Sequence, residues 1–253
     1  MNFRFFSKRS GLVAALSGVL LLGMAACNKN NDDNNAPEIP VAGLMAFNLA
    51  SDVPSAGVAL SGNNAVNNLT YGSFTGGYLA VYTGDRPVET YNSASGSRLA
   101  SGNFNFQDSS YYSLFIVGAN NVYDNVIVKD DISDLTGTGK AFVRYINAIA
   151  DSSSPSVTIA SGGVNAVNET AAYKSVSGFD EVAAGEVAIG VSNGGTISAN
   201  RTVTFEANKV YTVLLTGKPA SSGTGNVEIK YISNGTVDEG GSAAKSTTAR
   251  SAN

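Results

Sequence analysis

Histidine is absent from the 253 residues, and cysteine occurs once. Without histidine there is no histidine-based catalytic triad and no histidine metal site. A lone cysteine, Cys27, rules out an intrachain disulfide and a cysteine metal cluster. Charge is scarce as well: 14% of residues carry one, and the net charge of −4 argues against nucleic acid as a partner. No G-x-S-x-G elbow occurs, and GTGK at Gly137–Lys140 lacks the spacing and the following Ser/Thr of a phosphate-binding loop. These absences predict a protein that is not an enzyme and needs no cofactor.

What is present begins at the N-terminus. MNFRFFSKRS carries Arg4, Lys8 and Arg9, and the thirteen residues that follow, GLVAALSGVLLLG, carry no charge. A basic start, a short apolar middle and small residues at the end make residues 1–26 a secretory signal peptide, too short in its apolar part for the roughly 20 residues of a membrane span. The run ends in Met24-Ala25-Ala26-Cys27, which resembles a bacterial lipobox. That resemblance implies that Cys27 is acylated and becomes the mature N-terminus, with each buried acyl methylene contributing on the order of 0.8 kcal/mol to anchoring. Cleavage removes three positive charges and takes the net charge from −4 to −7. Residues 27–40 then read as the lipidated cysteine and a flexible tether, NKNNDDNNAPEIP, too poor in apolar residues to offset its ordering entropy. Asp32 and Asp33 resemble the acidic signal that sends Bacteroidetes-type lipoproteins to the cell surface. The expected location is the outer membrane, lipid-anchored and facing the exterior, with the periplasmic face as the alternative.

Beyond the tether the chain repeats itself. NLASD (residues 48–52), followed six residues on by VAL (58–60), matches NAIAD (147–151), followed at the same distance by VTI (157–159). YGSFTG (71–76) faces YKSVSG (173–178), and FQDSSYYSLFIVG (106–118) faces FEANKVYTVLLTG (205–217). Each copy, of about 95 residues, reads as short alternating strands between Gly, Asn, Asp and Ser turns, without a 3.6-residue period. The fold class expected is all-β: two tandem immunoglobulin-like antiparallel β-sandwich domains, over residues 41–134 and 139–234, with a polar, disordered tail from 235 to 253. The boundary is placed in DDISDLTGTGK, Asp130–Lys140, and each sandwich is expected to hold its own core.

RYINAIAD, the Tyr-x-Ser-x-Ser/Thr-Gly turn, the strand YTVLLTG and the joint VIVKDDISD together resemble the domain of unknown function 4397 family. The resemblance covers roughly residues 41 to 234 and implies a β-sandwich and an exported location, and it supplies no catalytic or binding residue. Met45 in the first copy stands where the second has Arg144.

Two sets of residues remain as site candidates. The adjacent acids Asp130-Asp131 and Asp180-Glu181 read as solvated turns, and Asp130, Asp131 and Asp134 offer oxygen ligands for calcium at the joint only without the glycine-punctuated loop such sites use. No metal is therefore expected. Tyrosines carry more weight. Residues shared by both copies, such as Tyr112 and Tyr211, read as scaffold, whereas Tyr82, Tyr91, Tyr111 and Tyr123 occur in the first copy alone. Exposed tyrosines give contact area at low entropic cost, which suits a glycan or a partner protein, and sheet-surface tyrosines serving β propensity are the plainer alternative. The function predicted is binding or adhesion by a membrane-anchored module. A structural envelope spacer without a small ligand is the alternative.

Overall fold

The computed structural model describes residues 39–151, 153–219 and 227–238. The signal peptide, the lipidation of Cys27 and the tether as far as residue 38 lie outside the described residues. The described residues from Ile39 onward form one compact unit.

The first repeat contributes β1 (Val41–Asn48), β2 (Ser55–Leu60), β3 (Asn63–Thr70), β4 (Leu79–Tyr82), β5 (Gly84–Asn92), β6 (Arg98–Phe106), β7 (Tyr111–Ala119) and β8 (Val122–Lys129). A 3-10 turn at Asp131–Asp134 follows. The second contributes β9 (Ala141–Asn147), β10 (Ser156–Ser161), β11 (Val164–Thr170), β12 (Asp180–Val182), β13 (Gly185–Ser192), β14 (Ser198–Phe205), β15 (Lys209–Thr216) and β16 (Glu228–Thr236). The described chain is thus all-β, and each repeat is a sandwich of two four-stranded sheets. The inner sheets are β4-β1-β7-β8 and β12-β9-β15-β16, and the outer sheets are β3-β2-β5-β6 and β11-β10-β13-β14. Pairing is antiparallel except for one ladder per repeat: β1 runs parallel to β7, and β9 runs parallel to β15.

Strands β3 and β11 carry little of the alternation expected of strands. NNAVNNLT and VNAVNET look like loops, because their faces are mostly exposed and asparagine-rich. What makes them strands is the turn before each. Ser61-Gly62 and Gly162-Gly163 both hold positive φ at two successive residues, the backbone that folds a two-residue hairpin. Strand β5 tolerates Pro87 for a positional reason. The Pro87 carbonyl accepts from Ser61 N–H on the β2 side, and the ladder there ends at Leu60–Val88, so the missing proline N–H falls just past the paired residues, opposite the exposed turn at Ser61.

Three cores hold the unit together: each repeat has its own, and a third is shared between them. Leu44, Ala46, Tyr112, Leu114 and Ile116 of the first inner sheet pack on Val58, Val88 and Phe106 of its outer sheet. Val143, Tyr145, Val213 and Leu215 pack likewise on Val157, Ile159, Val187 and Phe205. The residues between these on the inner strands face the other way. Met45, Phe47, Phe115 and Val117 meet Phe142, Ile146, Val210 and Leu214 in a core shared by both repeats. The inner sheets are therefore covered on both faces, and the order of layers is outer, inner, inner, outer. The segment Asp130–Lys140 is anchored at its start, where Asp130 and Ile132 are buried and Leu135 packs on the shared core, while Asp131, Ser133, Asp134, Thr138, Gly139 and Lys140 are exposed. The first residues of the expected tail are ordered, since β16 runs to Thr236 and Val237 is buried in the shared core, and residues 239–253 lie outside the described residues.

Candidate functional site

The seam between the inner sheets is apolar except at its centre. Arg144 on β9 is 2% exposed, and its Nη1 lies 2.7 Å from Asp130 Oδ1 across the seam. Its Nη2 donates to Ser113 Oγ at 2.8 Å and its Nε to Thr212 Oγ1 at 3.0 Å. Asp130 Oδ2 accepts from Tyr78 Oη and Ser113 Oγ, both at 2.7 Å. Thr212 in turn donates to Asn234 Oδ1 at 2.7 Å. The guanidinium also lies over Phe179, 4.5 Å from the ring centroid. A buried charge is tolerated only when paired and hydrogen-bonded, and both ions here are. Burial and the neighbouring Asp130 carboxylate raise the Tyr78 phenol well above its ordinary value, so it stays a donor.

Repeat symmetry explains the placement. Lys129 opposes Tyr112 and Ser233 opposes Tyr211, so the next residues, Asp130 and Asn234, hold equivalent places. Ser113 and Thr212 match in the same way, as do Met45 and Arg144. The first repeat brings methionine and an acid, and the second brings arginine and an amide, so a single ion pair spans a pseudo-symmetric seam. At its rim Lys174 pairs with Asp124, and Lys230 Nζ sits 5.1 Å from the Tyr71 ring centroid.

Beside this centre opens a cleft of about 360 Å³, lined by Lys129, Asp131, Asp134 and Leu135 of the joint and by Arg144 and Phe179. Its acids are not arranged for metal: among the described residues no group of three histidine, cysteine, aspartate or glutamate side chains could hold an ion. Asp130, considered above as a calcium ligand, is turned inward to Arg144. Asp180 and Glu181 separate as adjacent strand residues do. Glu181 accepts from Lys140 and Thr138, bonds that lower its pKa, whereas partial burial and nearby Glu169 raise that of Asp180.

The four tyrosines do not form one surface. Tyr111 packs on the shared core and Tyr123 on the first repeat's own core, which puts them on opposite faces of the same inner sheet. Tyr91 stands on the outer sheet. Three of the four lie opposite a glycine in the paired strand: Gly43 faces Tyr111, Gly57 faces Tyr91 and Gly118 faces Tyr123. A Cβ on Gly57 would stand 2.2 Å from Tyr91 Cζ, and one on Gly43 would stand 2.6 Å from Tyr111 Cδ1. Each ring thus covers backbone that its partner leaves bare. Tyr91 Oη also donates to Val66 O at 3.3 Å, and Tyr123 Oη to Asp52 Oδ1 at 3.0 Å. Burial, then Asp52, raises the Tyr123 pKa. Tyr82 alone is largely exposed, at 60%, with the Arg86 guanidinium 5.8 Å from its ring centroid.

Shared residues hold the scaffold. Tyr112 and Tyr211 are buried and accept the N–H of Gln107 and Glu206, each at 3.0 Å, an identical corner in both copies. Asn48 Nδ2 donates to Val53 O and Leu69 O, and Asn147 Nδ2 to Ala171 O. Sequence reasoning missed the Arg144–Asp130 pair, although its signal was the one charged residue inside a strand apolar on both faces.

The family model described as Domain of unknown function (DUF4397) matches residues 42–159 and again 141–245. Among curated proteins none matches the chain. A carbohydrate-binding module of family CBM26 from Eubacterium rectale Amy13K, crystallised with maltoheptaose, is similar at 10% identity and a TM-score of 0.24, over 75% of this chain and 96% of its own. A candidate cell adhesion protein from Bacteroides eggerthii is similar at 9% identity and a TM-score of 0.23, over 79% and 97%. Neither superposition is close enough to carry a ligand or a site across. Among the described residues no helix is long and apolar enough to cross a membrane.

Proposed function

The chain belongs to that family of unknown function, and we propose that it serves as a lipid-anchored, non-enzymatic module of the cell envelope, held at the outer membrane by Cys27, facing the exterior, and acting in binding or adhesion. The ligand is a glycan or a partner protein rather than nucleic acid.

One observation carries this reading: the shared core and the buried Arg144–Asp130 pair join both repeats in one body. A packed seam of this kind holds the outer sheets in fixed relation, which favours recognition of an extended partner. Ser113, Thr212 and Arg144 at its centre bond to one another and to Asp130 rather than opening to solvent.

The experiment has two arms. Metabolic acyl labelling and fractionation of Cys27→Ser test the anchor: the variant loses the label and leaves the outer membrane fraction, whereas unchanged fractionation without any label in the native chain ends the lipoprotein reading. A polysaccharide and envelope-protein pull-down, run beside whole-cell crosslinking, tests binding. Recovery of a saturable ligand supports recognition. Crosslinks to envelope neighbours without any saturable ligand favour the spacer instead, a role that the same rigid body would also suit.

A further inference from the structure

Among the described residues five large apolar side chains are exposed: Ile39, Val41, Tyr82, Val122 and Val164. Val122 and Val164 each follow a tight hairpin turn at the first position of a strand. The other three are neighbours. Val41 and Tyr82 are partners in the β1–β4 ladder, Ile39 precedes Val41 by two residues, and β4 is the edge of its sheet. Their exposures are 61% for Ile39, 41% for Val41 and 60% for Tyr82. Arg86 stands beside the Tyr82 ring and uses only its Nε, on Thr83 O at 3.1 Å, so its outer nitrogens reach solvent.

We propose that this edge, Ile39, Val41 and Tyr82 with Arg86, is the face on which the folded body rests against the lipid surface. The proposal rests on the anchoring of Cys27. Ile39 follows Cys27 by twelve residues, which span at most ~40 Å when fully extended. A compact unit of about 200 residues has a radius of gyration of about 16 Å, so the body cannot move from the membrane by much more than its own width. Along the chain, Ile39 and Val41 of this edge are among the first described residues after Cys27. Its chemistry suits the water–lipid boundary: aliphatic chains enter the acyl region, tyrosine stays at headgroup level and arginine reaches a phosphate. Asp85, bonded to Asn105, and Asp108, accepting from Val41 N–H, flank the edge. Lipid charge is therefore not what it recognises, and apolar contact with the boundary is. The consequence is orientation: a tethered body that rests on one edge presents the opposite side outward.

The chain has no tryptophan, which makes a single reporter clean. Full-length lipidated protein carrying Tyr82→Trp, the edge reporter, is reconstituted into phosphatidylethanolamine–phosphatidylglycerol vesicles with acyl-brominated phosphatidylcholine. A second sample carries Val164→Trp, the hairpin reporter. Flotation with the vesicles is scored first, and a protein that fails to float overturns the anchor and the proposal with it. In floated protein the expected result is a blue shift and loss of emission from the edge reporter, with the hairpin reporter solvent-like and unquenched. Unquenched emission from the edge reporter in floated protein overturns the proposal and leaves the anchor standing. Equal quenching of both reporters overturns it too, because the body would then have no preferred edge. So does a concentration-dependent blue shift of the edge reporter in the unlipidated chain without vesicles, which would assign the edge to a second copy.

Discussion

Arg144→Met breaks the seam at its centre while keeping its shape, since Met45 holds the same place in the first repeat. The loss can be worked from the contacts. Asp130 keeps the hydroxyls of Tyr78 and Ser113 on Oδ2, but its charge, in a fully buried side chain, loses the guanidinium 2.7 Å away. Removing one partner of a buried ion pair costs about 3 to 5 kcal/mol, chiefly because the other charge stays buried alone. Asp130→Asn strands the arginine and belongs in the same range. The double variant, Asp130→Asn with Arg144→Met, removes both charges and reproduces at one seam position the amide that Asn234 supplies at the other. It should lie within about 2 kcal/mol of the native chain. Urea unfolding of the four proteins closes a double-mutant cycle, with the two single losses far from additive. The reasoning fails if Arg144→Met costs less than about 1 kcal/mol, or if the double variant loses the sum of the singles.

Alkaline pH should weaken the fold, because burial and Asp130 raise the pKa of Tyr78, and burial and Glu169 raise that of Tyr145. A raised tyrosine pKa gives stability that is complete below the unfolded value of 10.0 and is lost as pH rises beyond it, so urea midpoints should fall above about pH 10 and fall less steeply in Tyr78→Phe. Among the tyrosines, Tyr112→Ala and Tyr211→Ala should each cost ~3 kcal/mol or more through the cavity left in a core. Tyr123→Ala should cost about 1 to 2 kcal/mol, as it loses Asp52 and its packing, and Tyr82→Ala should leave the thermal midpoint almost unchanged. Equal midpoint losses at Tyr82 and Tyr123 would contradict their placement. Gly118→Ala should be worse than an ordinary surface change, since its φ is +138° and a Cβ would stand 2.2 Å from Val122 O. A Tm shift within error there would show that the β7–β8 turn relaxes freely.

The repeat, the strands with buried faces and the sandwich class were legible in the sequence, because NLASD and NAIAD, or YTVLLTG and its partner, state the same solution twice. The shared core was legible too, in a signal left unused. A half-buried strand alternates, whereas YYSLFIVG and VYTVLLTG are apolar at nearly every position, and a strand apolar on both faces must be covered on both. The asparagine-rich β3 and β11 were hidden, because each buries only a residue or two, Leu69 and Val167, and their hairpin turns supply the rest of the order. The single-copy tyrosines also answer to a signal that no strand shows by itself. A residue present in only one copy looks free to serve function, yet Tyr91 and Tyr111 answer to Gly57 and Gly43 across a ladder, and where the second repeat lacks those glycines it also lacks the rings. Register, which no single strand contains, decides that pairing.

The account stands on the two repeats being one cooperative body, and calorimetry of the unlipidated chain from residue 28 onward tests this most directly. One transition is expected, with a van't Hoff enthalpy equal to the calorimetric one and near ~140 kcal/mol for about 200 ordered residues at ~0.7 kcal/mol each. Two transitions, or a van't Hoff enthalpy near half the calorimetric value, would mean that the repeats unfold separately and that the seam does not join them.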